Sequence, residues 1–303
     1  MAHSDSDCVL GCILGGAIGD AFGALYEGRS GSINIGNESP WSITDDTALT
    51  LATCEAIIEK GAVDPSAIAS HFVKWFREGR IRGIGASIYK ALADLCAGAH
   101  WALAGCKGEH AAGNGAAMRI APLAFLLNPN DSDDRRTIRD VCRITHHNDE
   151  AYVGALAIVI AIQTACERGY HNLLKPIIAM IPDCLFRDRI EQLAKFPPNT
   201  PLFDVSRQTG CSGWVVESVP LALAAAERFQ TIGFQEMMRQ IVSCGGDTYT
   251  IASMAGQITG ASVGQAKLPA DWIARLSERE AITKIGSKFA KTVVLRCGDN
   301  NNG

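Results

Sequence analysis

The sixteen residues from 151 to 166 carry no charge. The run is too short for a bilayer, which takes about 20 residues of helix. It is too apolar for a surface helix, so it predicts a helix buried on all sides. Such a helix needs others to surround it. The rest of the chain supplies them, because apolar residues recur at helical spacing over nearly its whole length and strand-like alternation is almost absent. Helices are predicted at residues 7–25, 47–60, 65–78, 85–97, 114–126, 135–145, 150–168, 173–181, 185–195, 215–229, 234–243, 250–263 and 269–279. Breakers cluster at 28–40, 128–134 and 196–212, none long enough to read as an interdomain linker. No fixed-period repeat is present. The expected fold is all-α, with one domain spanning 1–303.

With 303 residues, 47% of them apolar, the chain is long enough to bury a sizeable core. Net charge is −4 and no basic run occurs, so the electrostatic footprint of a nucleic-acid binder is missing. Eleven cysteines, an odd number with no Cys-x-x-Cys, sit mostly in apolar helical runs such as those around Cys54, Cys142 and Cys166. There Cys acts as a small hydrophobe, which fits a reducing, cytoplasmic setting and argues against a disulfide framework or a thiolate zinc site. Residues 9–26 come nearest to a membrane span. Asp20 lies within them, at a cost of about 2.5–3.5 kcal/mol at a bilayer centre, and the preceding residues are acidic where a signal peptide starts basic. Gly15, Gly19 and Gly23 share one helix face and predict close packing inside the protein rather than contact with lipid.

Five polar islands interrupt the apolar pattern. Trp41-Ser42-Ile43-Thr44-Asp45-Asp46-Thr47 sets two adjacent carboxylates between hydroxyls, with no Lys or Arg from Ser30 to Glu59. One reading is a helix start, with Thr44 or Asp45 as N-cap and an acidic first turn. The other is a site for a hard cation such as Mg²⁺ or Mn²⁺, which takes several oxygens from a stiff element. In Gly19-Asp20-Ala21-Phe22-Gly23, followed by Glu27, Asp20 reads as a buried acid that caps a neighbouring helix. Gly113-Asn114-Gly115 opens a predicted helix and is either a plain turn or a place where free N–H groups meet an anion. Thr145-His146-His147-Asn148-Asp149-Glu150 either binds a sugar or caps the next helix. In Cys244-Gly245-Gly246-Asp247-Thr248-Tyr249-Thr250, Asp247 reads as an N-cap. Taken together, the islands place acids and hydroxyls at helix starts far apart in sequence, as an all-α scaffold would to build one pocket from many loops.

In order and spacing these islands, with Arg82-Gly83-Ile84-Gly85 and Gly213-Trp214-Val215-Val216-Glu217-Ser218, resemble the ADP-ribosylglycohydrolase family. That family includes the dinitrogenase-reductase-activating glycohydrolases and the ADP-ribosylhydrolases, and the likeness runs from about residue 10 to 276. The resemblance implies an orthogonal all-α bundle and two Mg²⁺ or Mn²⁺ ions in a cleft. It also implies hydrolysis of the N- or O-glycosidic bond joining ADP-ribose to a protein side chain; arginine is the favoured acceptor, with serine, other acceptors or a free small molecule left open. Carried over by position, Thr44, Asp45, Asp46, Asp247 and Thr250 look like metal ligands, with Asp45 and Asp46 also catalytic. Glu27 looks like an acid at the cleft mouth. Gly113, Asn114 and Gly115 are expected at the diphosphate and His146 near the ribose.

One position departs from the family. Its last motif reads Gly-Gly-Asp-Thr-Asp-Thr, and here Tyr249 stands for the second acid, which in the family touches both metals. Two divalent ions about 4 Å apart repel by roughly 17 kcal/mol at an effective dielectric of 20. A phenol with a pKa near 10 is a poor substitute for a bridging carboxylate. One weakly held metal at most is expected, with catalysis reduced or absent; the alternative is a ring that points away while Asp247 compensates. A binding protein that recognises ADP-ribosyl groups, with Tyr249 stacked on the ligand, is the second functional reading.

Overall fold

The computed structural model describes residues 5–29, 40–168 and 172–300, so most of the 28–40 breaker region falls outside it. The described residues form fifteen α-helices: α1 (Asp5–Ala24), α2 (Asp45–Lys60), α3 (Pro65–Arg77), α4 (Ala86–Cys96), α5 (Trp101–Ala104), α6 (Ser132–Arg143), α7 (Asp149–Arg168), α8 (Leu174–Met180), α9 (Leu185–Leu193), α10 (Leu202–Thr209), α11 (Val215–Ile232), α12 (Phe234–Cys244), α13 (Thr248–Val263), α14 (Ala270–Arg275) and α15 (Arg279–Asn300). The fold is all-α. The extended exception is a parallel pair of two-residue strands, β1 (Cys106–Lys107) and β2 (His146–His147), with Cys106 opposite His146.

The uncharged run lies in α7, where residues 155–162 are at most 2% exposed and the helix packs against α6, α11 and α13. Both α1 and α7 are long and apolar enough to cross a membrane. In this fold the apolar windows Ser6–Ala24 and Asp149–Glu167 are 83% and 72% buried against the rest of the protein.

The glycine face of α1 does what its spacing predicts. Gly11, Gly15 and Gly19 lie against Gly260, Gly256 and Ala252 of α13, so numbering rises on one helix as it falls on the other and the pair is antiparallel. A methyl on Gly15 would run into the Gly256 carbonyl, and one on Gly256 into the Gly15 carbonyl. The register carries on to Gly23, which faces Thr248 and Tyr249. It therefore brings the C-terminal end of α1, with Asp20 and Glu27, to the N-terminal end of α13.

Three local expectations need correction. Residues 114–126 do not form an α-helix but two 3₁₀ turns, Ala117–Arg119 and Ala121–Phe125; Pro122 has no N–H to continue a helical ladder. The helix expected at 269–279 stops at Arg275, because Trp41 takes up the backbone there: Trp41 N donates to Arg275 O and Ser277 N to Trp41 O. A new helix, α15, then begins. The breaker-rich 196–212 stretch contains α10, with Pro201 as its N-cap, a place where a missing N–H costs nothing.

Candidate functional site

The site grows from the start of α2. Thr44 is its N-cap, with extended φ/ψ of −107° and −163°, and its hydroxyl accepts from Asp46 N at 3.4 Å. Fully buried Asp20 fixes this turn from α1. Its carboxylate accepts from Thr44 N (2.9 Å), Thr44 Oγ1 (2.6 Å), Thr47 N (3.2 Å) and Thr47 Oγ1 (2.5 Å). The cap reading of Asp20 therefore holds. Four donors are insufficient to offset its burial, and its pKa is pushed up to about 6.

With Asp20 holding the turn, Asp45 and Asp46 are turned into the interior, 2% and 0% exposed. Asp45 Oδ1 and Asp46 Oδ2 have no hydrogen-bond partner. Burial, then the neighbouring Asp20, push both carboxyls well above the usual range, and Asp247 adds to this. The donors that answer are weak: the Gly85 N–H and its own backbone N–H at Asp45, and Thr250 Oγ1 at 3.4 Å from Asp46 Oδ1. Gly83 has a φ of 72° and lies against Thr44 and Asp45, where a methyl would sit 3.2 Å from Thr44 Cβ. A cap needs one oxygen, and Thr44 already supplies it.

Asp247 is the N-cap of α13, as its position in sequence suggests. Its Oδ1 accepts from Thr250 N at 3.3 Å, and its Oδ2 accepts from Asn114 Nδ2 at 2.8 Å. That second bond ties α13 to the 113–115 loop across 133 residues, a link the sequence did not reveal. Glu27 Oε2 accepts from Thr248 N (3.0 Å) and Thr248 Oγ1 (2.8 Å). Partial burial, with Asp247 nearby, raises its pKa despite those donors. Tyr249, half-buried, lies in the field of Asp45, Asp46, Asp247 and Glu27, and burial followed by these acids raises its phenol further above its ordinary value. The phenol is neutral.

The glycine loop is held from behind. Asn114 N donates to Gly213 O and Val215 N to Ala112 O, which join the loop to the start of α11. His146, 3% exposed, fills the space that side chains at 113 and 115 would take: a methyl on Gly115 would sit 2.6 Å from His146 Cε1. His146 Nδ1 meets Thr145 Oγ1 at 2.9 Å, and that hydroxyl accepts from the fully buried Arg119 Nη2 at 2.7 Å. Arg119 can only donate, so Thr145 Oγ1 is an acceptor in that bond and links Arg119 to the imidazole. Burial and Arg119 lower the His146 pKa to about 3. His146 is thus set as a buried support of the loop. The Arg119–Thr145 pair behind it was not anticipated, although both belong to motifs that stood out in the sequence. Asn148 Oδ1 accepts from Ala151 N at 3.1 Å and caps α7, the plainer of the two readings for that island.

The donor set can be tested against a cation. Among the described residues no three His, Cys, Asp or Glu side chains are arranged to hold a metal ion. What the site offers is two orphaned, buried carboxylate oxygens, with the Thr44 hydroxyl at the start of α2 and Thr250 Oγ1 of α13 3.4 Å from Asp46 Oδ1. All-oxygen donors suit a hard cation, and Mg²⁺ is commonly held by one or two carboxylates while keeping several waters. The residues present fit one such ion.

The whole chain is similar to known proteins. ADP-ribosylhydrolase ARH3 of Gallus gallus is 27% identical over 319 residues, covering 86% of this chain and 87% of its own. The ADP-ribosylarginine hydrolase Tri1 of Pseudomonas putida (strain GB-1) is 25% identical over 254 residues, 81% of this chain and 65% of that one. A solved structure described as an ADP-ribosylglycohydrolase-related protein complex superposes with a TM-score of 0.73 at 27% identity, over 95% of this chain and 99% of that chain. The ADP-ribosylglycohydrolase family model matches residues 1–299, and the chain belongs to that family.

Proposed function

We propose that this protein hydrolyses the glycosidic bond between C1″ of ADP-ribose and a protein side chain, with arginine as the favoured acceptor and Mg²⁺ or Mn²⁺ as cofactor. The observation that carries the reading is the orphaned Asp45–Asp46 pair, buried beside a glycine loop in a chain of this family. Similarity to Tri1, named as an ADP-ribosylarginine hydrolase, supports the acceptor.

In this reading Asp45 and Asp46 hold the cation, which when bound supplies positive charge at the ribose hydroxyls and the attacking water. Loss of the side chain from C1″ builds positive charge on the sugar and leaves the departing group in need of a proton. Glu27, held by Thr248 and with a raised pKa, suits the transfer of one proton between water and the departing group. Gly113, Asn114 and Gly115, packed on His146, are the loop assigned to the diphosphate in this reading.

The neutral phenol of Tyr249 among four acids favours a second reading, recognition of ADP-ribosyl groups with little cleavage. The test is release of ADP-ribose from arginine-ADP-ribosylated protein in Mg²⁺, Mn²⁺ or EDTA, beside the Asp45→Ala, Asp46→Ala double variant. Metal-dependent release that the double variant abolishes supports hydrolysis. Binding of ADP-ribose without release supports the second reading instead.

A further inference from the structure

We infer that the buried Arg119 guanidinium is the countercharge of the diphosphate site, acting on a bound anion from behind the 113–115 loop, across Thr145 and His146. This rests on the reading above that the loop seats the diphosphate, and it names the charge that lets an acidic centre hold one.

Arg119 is costly where it stands. It is fully buried, with its guanidinium carbon 4.8 Å from the centre of the Phe72 ring. Nη2 donates to Val141 O at 3.2 Å and to Thr145 Oγ1 at 2.7 Å, while Nε and Nη1 have no hydrogen-bond partner. Burial lowers its pKa to about 10, and among the described residues no carboxylate offsets that burial. At pH 7 it is still a cation, and a buried charge without a counterion is unfavourable. Val141 O lies in the last turn of α6, whose dipole favours a cation there but supplies only part of a charge. An anion brought close by supplies the rest.

The contacts connect this charge to the loop. Thr145 Oγ1 meets His146 Nδ1 at 2.9 Å, and the far side of that ring packs on the loop: a methyl on Gly115 would sit 2.6 Å from His146 Cε1 and 3.2 Å from Nε2. The ring is neutral, because burial and then Arg119 hold its pKa to about 3, so it places no charge of its own between the two. The backbone that carries Arg119 is fixed as well. Met118 N donates to Asn114 O at 3.1 Å, and Gln257 Nε2 of α13 donates to Met118 O at 2.6 Å.

The need for such a charge comes from the acids. Asn114 Nδ2 donates to Asp247 Oδ2 at 2.8 Å, so a carboxylate stands one side chain away from the loop, and an anionic ligand seated there is repelled. Arg119 opposes that repulsion from inside the protein, where salt screens it little. At about 11 Å and an effective dielectric of 20 to 40, one cation changes the affinity of a doubly charged diphosphate by roughly ten- to a hundredfold.

The test uses the full chain in Mg²⁺, with affinities for ADP-ribose and for uncharged adenosine read by calorimetry and folding checked by circular dichroism. Arg119→Met and Arg119→Gln remove the charge. They are expected to weaken ADP-ribose binding at least about tenfold and adenosine binding by less than about twofold. Arg119→Lys keeps the charge and is expected to hold ADP-ribose affinity within about threefold. A residue that merely braces α6 or the loop behaves differently. It gives equal losses for both ligands, or a lysine variant as weak as the neutral ones, and either result would overturn the inference. So would unchanged ADP-ribose affinity in the neutral variants. If both neutral variants unfold, Thr145→Val decides, since it cuts the hydrogen-bonded link and leaves the charge. ADP-ribose affinity within about threefold of wild type is expected, and a loss of about tenfold or more would mean that the bonds, not the charge, carry the effect. These outcomes separate from the hydrolase reading: binding that depends on the Arg119 charge without release of ADP-ribose sinks hydrolysis alone, and release by a chain whose ADP-ribose affinity ignores that charge sinks the inference alone.

Discussion

Replacing Asp20 tests whether the site is held by α1 as described. Asp20→Ala strips the acceptor from two buried backbone donors, Thr44 N and Thr47 N, and from two hydroxyls that can rotate elsewhere. A buried N–H without a partner costs about 1–3 kcal/mol, so two predict a loss of about 2–6 kcal/mol. Asp20→Asn keeps the shape, with the amide oxygen facing the three donors on one side and the NH₂ facing Thr44 Oγ1. It also removes the charge that, after burial, most raises the Asp45 and Asp46 carboxyls, so its cost should be about 1 kcal/mol. The assay is urea unfolding at pH 7 in EDTA, compared by midpoint at constant slope. Both variants should also bind Mn²⁺ more weakly, the alanine form far more, since it frees the turn that presents Asp45 and Asp46. An Asp20→Ala protein within 0.5 kcal/mol of wild type would refute the claim that this carboxylate organises the turn.

Other outcomes follow from the same geometry. Gly15→Ala forces a methyl onto the Gly256 carbonyl and should cost at least about 1–3 kcal/mol by thermal or urea unfolding. His146 titrates near 3 when folded against 6.5 when unfolded, so between those values the unfolded chain binds the extra proton and stability rises with pH. A shift of this size corresponds to about 4–5 kcal/mol. His146→Phe should flatten that part of the profile, read as the difference between wild type and variant in urea midpoints at pH 4.5 and 7. Asp45 and Asp46 have the opposite sign. Their folded pKa values are raised, so without metal stability falls as pH climbs from the ordinary carboxylate range, and melting temperatures in EDTA should drop toward pH 8 while those in Mn²⁺ do not. Gly115→Ala should displace the loop from His146 and raise the KM for an ADP-ribosylated substrate while the protein remains folded.

Much of this was legible in sequence because helical period and glycine spacing are local signals. The α1 stripe and the α7 core run needed only their own residues to be read. Asp20 was readable as a cap because a buried acid without a nearby base must find N–H donors. The errors lie where a local pattern was interrupted or weak. The apolar spacing of 114–126 is helical, but Pro122 breaks it into 3₁₀ turns. The 196–212 stretch looked like loop because of its prolines, one of which starts a helix. In α15 the apolar stripe of Ile282, Ile285, Phe289 and Val293 is diluted by the lysines between them. Site geometry was the least readable part. No local pattern shows that Asn114 reaches Asp247, or that Arg119 holds His146 through Thr145.

The antiparallel seam of α1 and α13 has a mechanical consequence. Its notches are four residues apart, so the next register that seats glycine on glycine lies a full step away, about 6 Å at 1.5 Å per residue. A step of that size would carry Glu27 out of reach of Thr248 and draw Asp20 away from the elements it faces. Intermediate positions would drive backbone into backbone. The two helices therefore have no graded way to slide, and disturbance of the seam should switch the whole centre off at once rather than detune it.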